Sequence, residues 1–261
     1  MELPISWYSV GAFCVIFFGY ITQTSLLQYV YYYRRSQKST CSTWKIQANR
    51  TESVGQFYWM PIFSQKPHRG VYHGVLALGN LLIASCCAAF TTECSLRRLN
   101  FMQYDPVTMD LIPTILLQTC IAMVYENVVE YYWHRLMHLK AFYATFHKYH
   151  HFYKSPEPWD DMYIHPVEAF GYYCILYGPP FLFPIHYTAF LLYMIIMGIF
   201  GISDHSGVKF AIPGLYNTVD HDNHHLKFEV NYSFPFPYMD ILHNTFEGEI
   251  FGYSFKAAKR A

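Results

Sequence analysis

The stretch ENVVEYYWHRLMHLKAFYATFHKYHH, residues 126–151, holds the pattern on which the reading of this 261-residue chain turns. No Gly or Pro interrupts Glu126–Leu139, so the segment can run on as one helix from the apolar residues before it. Glu126, Glu130, His134 and His138 stand at four-residue steps and stack on one face of that helix. A carboxylate one turn below a ligand histidine can accept its second N–H and fix the tautomer, which makes Glu130 a candidate support for His134. His147, His150 and His151 follow as H-x-x-H-H, positions that share a helical face. The same spelling returns at His221, His224 and His225, with Asp220 and Asp222 beside it. His205 lies between them next to Asp204, and His165 precedes Pro166 and Glu168.

Imidazoles gathered in this way need partners, because an unpaired polar group away from water is costly. We therefore read His134, His138, His147, His150, His151, His205, His221, His224 and His225 as metal ligands, with His165 as an outer candidate. Glu130, Asp204 and Asp222 are the carboxylates expected to hold their rings. Neutral imidazole suits Zn, Fe, Cu and Ni. A structural zinc takes four ligands, so this set is too large for one ion and fits two. Four or five nitrogens each would leave positions on iron open for O2, and zinc could fill the same sites in purified protein. A two-zinc hydrolase is the competing metal reading, but such sites normally include bridging carboxylates, and these clusters are almost purely histidine.

Outward from the clusters, the chain reads as a membrane protein. Residues are 53% hydrophobic and 14% charged, against about 25% charged in soluble domains. Net charge is zero, so no polyanionic partner is implied. Tyr (25) and Phe (22) are abundant, as suits bilayer interfaces or a pocket for a bulky apolar ligand. The seven cysteines form no C-x-x-C pair and read as small buried hydrophobes. Apolar runs cover about 7–33, 71–90 and 107–129, each long enough for a core of roughly 30 Å. The first lacks the marks of a cleaved signal peptide and is expected to stay as a helix. A fourth block, 167–202, is broken at Gly178-Pro179-Pro180 and Pro184 and is predicted to be a hairpin that enters and leaves on one side. Seven Lys/Arg in residues 34–70 (34, 35, 38, 45, 50, 66, 69) oppose the single acid Glu52, which puts that loop in the cytosol. Loop 91–106 then faces the lumen, and both groups of histidines, 134–151 and 205–225, come to the cytosolic side. The sequons at Asn49 and Asn231 should carry no glycan there. His186 is expected to be structural, and His68, His73 and His243 to lie at an interface or surface. The predicted fold is all-α: an integral membrane bundle of about three spanning helices plus a broken hairpin, with a cytosolic His-rich helical cap. Residues 1–106 supply N-terminal membrane helices and a loop, and 107–261 the catalytic region, in one domain overall.

Three histidine boxes beside broken apolar helices resemble the fatty acid hydroxylase, or sterol desaturase, superfamily, over roughly residues 110–252. Trp133-His134-Arg135-Leu136-Met137-His138 is similar to its first box, Phe146-His147-Lys148-Tyr149-His150-His151 to its second, and His221-Asp222-Asn223-His224-His225 to its third. Tyr163-Ile164-His165-Pro166-Val167-Glu168 resembles a segment of the methylsterol monooxygenases, and Asp204-His205-Ser206-Gly207 resembles that branch and cholesterol 25-hydroxylase. Asn231-Tyr232-Ser233 and Tyr238-Met239-Asp240 are similar to plant-type methylsterol oxidases. The resemblance implies a di-iron, O2-dependent monooxygenase of the endoplasmic reticulum membrane, acting on a sterol. Electrons would come from NAD(P)H through cytochrome b5 and its reductase. The chain has no His-Pro-Gly-Gly haem motif, so cytochrome b5 would be a separate partner. Two departures stand out: Asp220 before the third box, and Pro156-Glu157-Pro158-Trp159-Asp160-Asp161 after the second, where the substrate pocket is shaped. A fatty-acyl or sphingolipid hydroxylase, a sterol desaturase, and a non-catalytic sterol- or metal-binding membrane protein remain open as alternatives.

Overall fold

The computed structural model describes residues 5–35, 37–56, 58–60 and 71–258. Lys66, His68 and Arg69, and the C-terminal Lys259-Arg260, lie outside the described residues. Helix α1 (Trp7–Leu27) starts at Ser6, whose hydroxyl accepts from the Tyr8 N–H at 3.2 Å. It continues through a π-helical turn, Gln28–Arg34. Helices α2 (Val71–Leu96), α3 (Ile112–Met137), α4 (Pro166–Leu176), α5 (Tyr187–Asp204) and α6 (Thr218–Lys227) follow, joined by short turns and two- or three-residue strand pairs.

Four segments are long and apolar enough to cross a membrane: Trp7–Arg34, Val71–Leu96, Met109–Met137 and Tyr187–Asp204. The shortest has 18 residues and spans about 27 Å at ~1.5 Å per residue. Their outer faces expose Val15, Phe18 and Leu26 on α1, Leu82 and Phe90 on α2, Leu117 and Val124 on α3, and Leu191 and Ile195 on α5. Apolar side chains in such continuous bands suit lipid rather than water. The inner face of α2 carries Ala77, Leu81, Ala84 and Ala88 at helical spacing, and packs against Tyr20, Trp159 and Tyr173. A second core joins Ile115, Ala122 and Met123 of α3 to Ala189, Tyr193 and Met197 of α5. At one end Glu93 of α2 pins α1, accepting from the Ser9 hydroxyl at 2.7 Å and the Ser6 N–H at 3.1 Å.

The fourth apolar block folds back as its prolines predict. Pro166 opens α4, where its missing N–H costs nothing. The chain turns at Gly178, where an added Cβ would lie 2.6 Å from the Tyr125 hydroxyl. It pairs Ile185–His186 in parallel with Met102–Gln103 and returns as α5. His186 caps α5, its ring nitrogen accepting from Thr188 N at 3.2 Å, a structural role. The start of α4 and the end of α5 therefore lie at the same end of the bundle as the histidine boxes.

Three expectations change, and Asn231 gains a structural reason to stay unmodified. His73 is 1% exposed rather than superficial, 3.5 Å from the Asp160 carboxylate. Cys86, Cys120 and Cys174 are exposed on outer helix faces, and only Cys41 and Cys94 are buried, because the surface of a membrane helix is itself apolar. Lys45 is buried at 1% exposure; its ammonium lies 3.3 Å from the Ser155 hydroxyl and over the Tyr32 ring, so it adds little to a surface field. Asn231 is 2% exposed, and its amide donates to the carbonyls of Asp220 and Glu247, which leaves no access for a glycan.

Candidate metal centre

The nine histidines of the three boxes and of the Asp204–Gly207 segment converge as two adjacent groups. His134, His138, His147, His151 and His224 form the first, and His150, His205, His221 and His225 the second. In each, one ring nitrogen per residue lies within 4.8 Å of every other. The H-x-x-H-H boxes do not each present one common face. His147 and His151 enter the first group while His150 enters the second; His221 and His225 enter the second while His224 enters the first. The backbone explains the split in the earlier box, which passes from a π-turn (Tyr143–His147) into a 3-10 turn (His150–Phe152). The later box sits on α6, a regular helix capped by Asn217.

Spacing within the groups suits an ion. In the first, Nε2 of His138 is 3.0, 3.2 and 3.2 Å from those of His147, His151 and His224. Nε2 of His151 is 3.0 Å from that of His147 and 3.1 Å from that of His224. In the second, the His150–His205, His205–His221 and His221–His225 separations are 3.3, 2.9 and 3.2 Å. Ligands held about 2.0–2.1 Å from a metal stand roughly 2.9–3.4 Å apart at octahedral to tetrahedral angles.

Hydrogen bonds behind the rings fix which nitrogen is bare. His134 Nδ1 donates to the Tyr232 carbonyl and His224 Nδ1 to the Val230 carbonyl, both at 2.7 Å. His147 Nδ1 donates to Glu168 Oε1 at 2.5 Å. His205 Nδ1 donates to the Gly201 carbonyl at 3.0 Å, with Asp161 Oδ1 at 3.3 Å. A neutral ring that donates from Nδ1 offers a lone pair at Nε2. The Nε2 atoms of His138 and His151 each face three other ring nitrogens, and one N–H can answer only one of them. A cation answers all of them at once. The residues present thus fit two imidazole-bound metal ions, a donor set shared by Zn, Fe, Cu and Ni. Burial pushes the imidazoles of His147, His150, His151, His221, His224 and His225 well below their usual range, and neighbouring rings add to the shift, so they stay neutral and ready to ligate.

The supporting carboxylates differ from those expected. Glu130 Oε1 stays 3.5 Å from His134 Nδ1, whose proton goes to the Tyr232 carbonyl instead. Asp222 accepts from Gln47 Nε2 at 2.8 Å, and among the described residues it makes no hydrogen bond to a ligand ring. Asp204 makes no bond to a ligand ring, and its Oδ1 is buried without a partner. His165 lies outside both groups: it caps α4, accepting from Val167 N at 3.2 Å, and packs on Phe146 and Tyr149. Glu168 and Asp161 take the supporting roles, together with two carbonyls of the loop 230–233. Asp240 holds that loop by accepting from the N–H groups of Tyr232 and Ser233 at 3.0 and 2.6 Å. Backbone carbonyls leave no mark in a sequence, whereas Glu168, three residues beyond His165, was within reach of inspection.

A cavity runs from the two groups into the helical bundle, and with its mouth it holds about 1100 Å³ of empty space. At the metal end its wall includes Glu130, Trp133, Asp161 and Glu168; at the other it includes Ile16, Ala84, Leu176 and Met194. Small-molecule sites are likewise mostly apolar, with a few polar groups. Gly171 gives Trp133 its place in the wall, since a Cβ there would lie 2.4 Å from the indole.

Comparison with known proteins agrees with this arrangement. Residues 119–245, which hold all nine clustered histidines, match the family described as fatty acid hydroxylase. Lathosterol oxidase of Homo sapiens is 30% identical over 130 residues, 48% of this chain and 43% of that protein. A methylsterol monooxygenase of Aspergillus fumigatus is 30% identical over 146 residues, 52% of this chain and 48% of its own. A Delta(7)-sterol 5(6)-desaturase of Gibberella zeae is 26% identical over 125 residues, 48% of this chain and 36% of its own. The matches thus span less than half the length of these relatives. No solved structure matches the chain significantly. Histidine boxes, apolar cavity and sequence matches agree: residues 119–245 are similar to the fatty acid hydroxylase family.

Proposed function

We propose that this chain is a membrane-bound, O2-dependent lipid oxidase acting on a sterol, with two iron ions held by the nine histidines. The observation that carries the reading is that histidines of both groups line an apolar cavity inside a membrane bundle. Relatives named lathosterol oxidase and methylsterol monooxygenase support a sterol substrate. Bound iron would supply the activation of O2 needed to attack an unactivated C–H bond. The protein binds the lipid along the cavity, brings the reacting carbon to the metal end, and keeps bulk water out with the aromatic wall of Tyr172, Tyr173 and Trp133. The buried, neutral rings are held by Glu168, Asp161 and the carbonyls of Val230 and Tyr232, so they need no rearrangement to ligate. Lipid enters sideways from the bilayer. We further assign the chain to the endoplasmic reticulum, with the histidine face and C-terminus cytosolic, and take its electrons from NAD(P)H through cytochrome b5 and its reductase.

A desaturase among the relatives favours a second outcome, in which a double bond replaces the hydroxyl product. Both begin with the same hydrogen abstraction. The test is metal analysis of anaerobically purified protein, followed by a cytochrome b5-supported oxygen-uptake assay on 3β-hydroxysterols. Two irons per chain and sterol-dependent O2 uptake are expected. Bound metal with no O2 uptake on any lipid would leave a binding protein. A strain lacking the gene should accumulate unoxidised sterols, whereas loss of 2-hydroxy acyl chains would move the substrate to fatty-acyl or sphingolipid chains.

A further inference from the structure

The cavity is unevenly polar. Glu130, Asp161 and Glu168 lie in its wall beside the histidines, and no charged group lines the end marked by Ile16, Ala84, Leu176 and Met194. Two of the three carboxyls have structural tasks: Glu168 holds His147, and Asp161 lies against His205 and receives the Tyr20 hydroxyl. Glu130 has none of comparable strength. It is 8% exposed and receives the Phe234 N–H, its Oε1 is 3.5 Å from a ring whose proton already goes to a carbonyl, and its Oε2 is buried without a partner. A carboxyl oxygen left unanswered in an apolar wall is expensive, and a bound molecule bearing a hydroxyl relieves that cost.

We propose that Glu130 is the specificity residue that receives a hydroxyl of the substrate, so that the oxidised carbon lies within a few bonds of an alcohol. The inference rests on the lipid-oxidase reading above and adds an orientation to it. Along α5 the wall runs from Met194 to His205, eleven residues or about 16 Å. A rigid apolar body of that length extends away from the metals when its hydroxyl meets Glu130. A carbon at the far end of such a molecule lies too distant to react. The substrate therefore enters alcohol first, and ring carbons near the hydroxyl are oxidised rather than those of the side chain.

Competition binding tests this without turnover. Full-length protein in nanodiscs is loaded with a radiolabelled 3β-hydroxysterol, which is displaced by the unlabelled sterol or by its 3-deoxy analogue. The wild type should prefer the alcohol by about ten- to a hundredfold. Glu130→Leu should reduce the preference to less than about threefold by weakening the alcohol alone. Glu130→Gln keeps volume and an acceptor, and should keep most of the preference. Metal content should be unchanged in both variants, because the Tyr232 carbonyl still orients His134, and it reports that they are folded. A preference that survives in the leucine variant overturns the assignment, as does equal binding of the two sterols by the wild type. Failure of the wild type to bind either sterol instead removes the sterol reading, and the orientation with it.

Discussion

The two H-x-x-H-H boxes are spelled alike and used in opposite ways. In the box at 147–151 the outer pair serves the first metal group and the middle histidine crosses to the second. In the box at 221–225 the outer pair serves the second and the middle histidine crosses to the first. One box lies on a π-to-3-10 transition and the other on a regular helix. Spacing marks the histidines as candidate ligands, but the backbone beneath them and the segments facing them decide which group each one joins.

Removing ligands by group rather than by box tests that exchange most sharply. His147→Ala with His151→Ala should empty the first group and leave the second loaded, halving the metal content; His221→Ala with His225→Ala should do the reverse. Either pair should cost about a thousandfold or more in turnover, as for residues that act as a unit. Metal content that falls to zero with each pair would mean that the boxes work as blocks.

Acid should strip both groups together. The six shifted imidazoles have folded-state pKa values below the unfolded value of 6.5, so the unfolded chain binds more protons between the two. Stability is thus fully present above about pH 6.5 and declines as the pH falls through it toward the lower folded values. Metal retention and melting temperature measured from pH 8 to pH 5 should fall in parallel, and a flat profile would contradict neutral, buried rings.

The supports should separate the groups more finely. Glu168→Gln weakens only the first group, by about 10–100-fold in metal affinity, since it orients His147. Gly207→Ala acts on the second. Gly207 has φ +68°, and its added Cβ would lie 2.7 Å from both the Pro156 carbonyl and the Tyr32 hydroxyl, two residues from His205. A cost of about 1–3 kcal/mol in thermal stability is expected, with looser metal in the second group first. Asp222→Asn should change metal content by less than twofold, because its partner is Gln47; a large loss would restore Asp222 to the centre.

Much of the fold was legible because its causes are local. Apolar runs, the prolines of the hairpin and the stacked His134 and His138 each follow from residues close in sequence. The convergence of two groups was legible from the number of histidines. Their membership was not, since it depends on contacts such as His138 with His224, 86 residues apart. The supports were harder still. Tyr232 and Val230 act through carbonyls, which every residue possesses, and Glu130 sat at the right helical step yet lost its expected role to one of them.

The exchange between boxes also sets an order for synthesis. A growing chain that has reached residue 210 has already made four of the five donors of the first group but only two of the four of the second. The second group lacks two of its four donors until the stretch that forms α6 has been made.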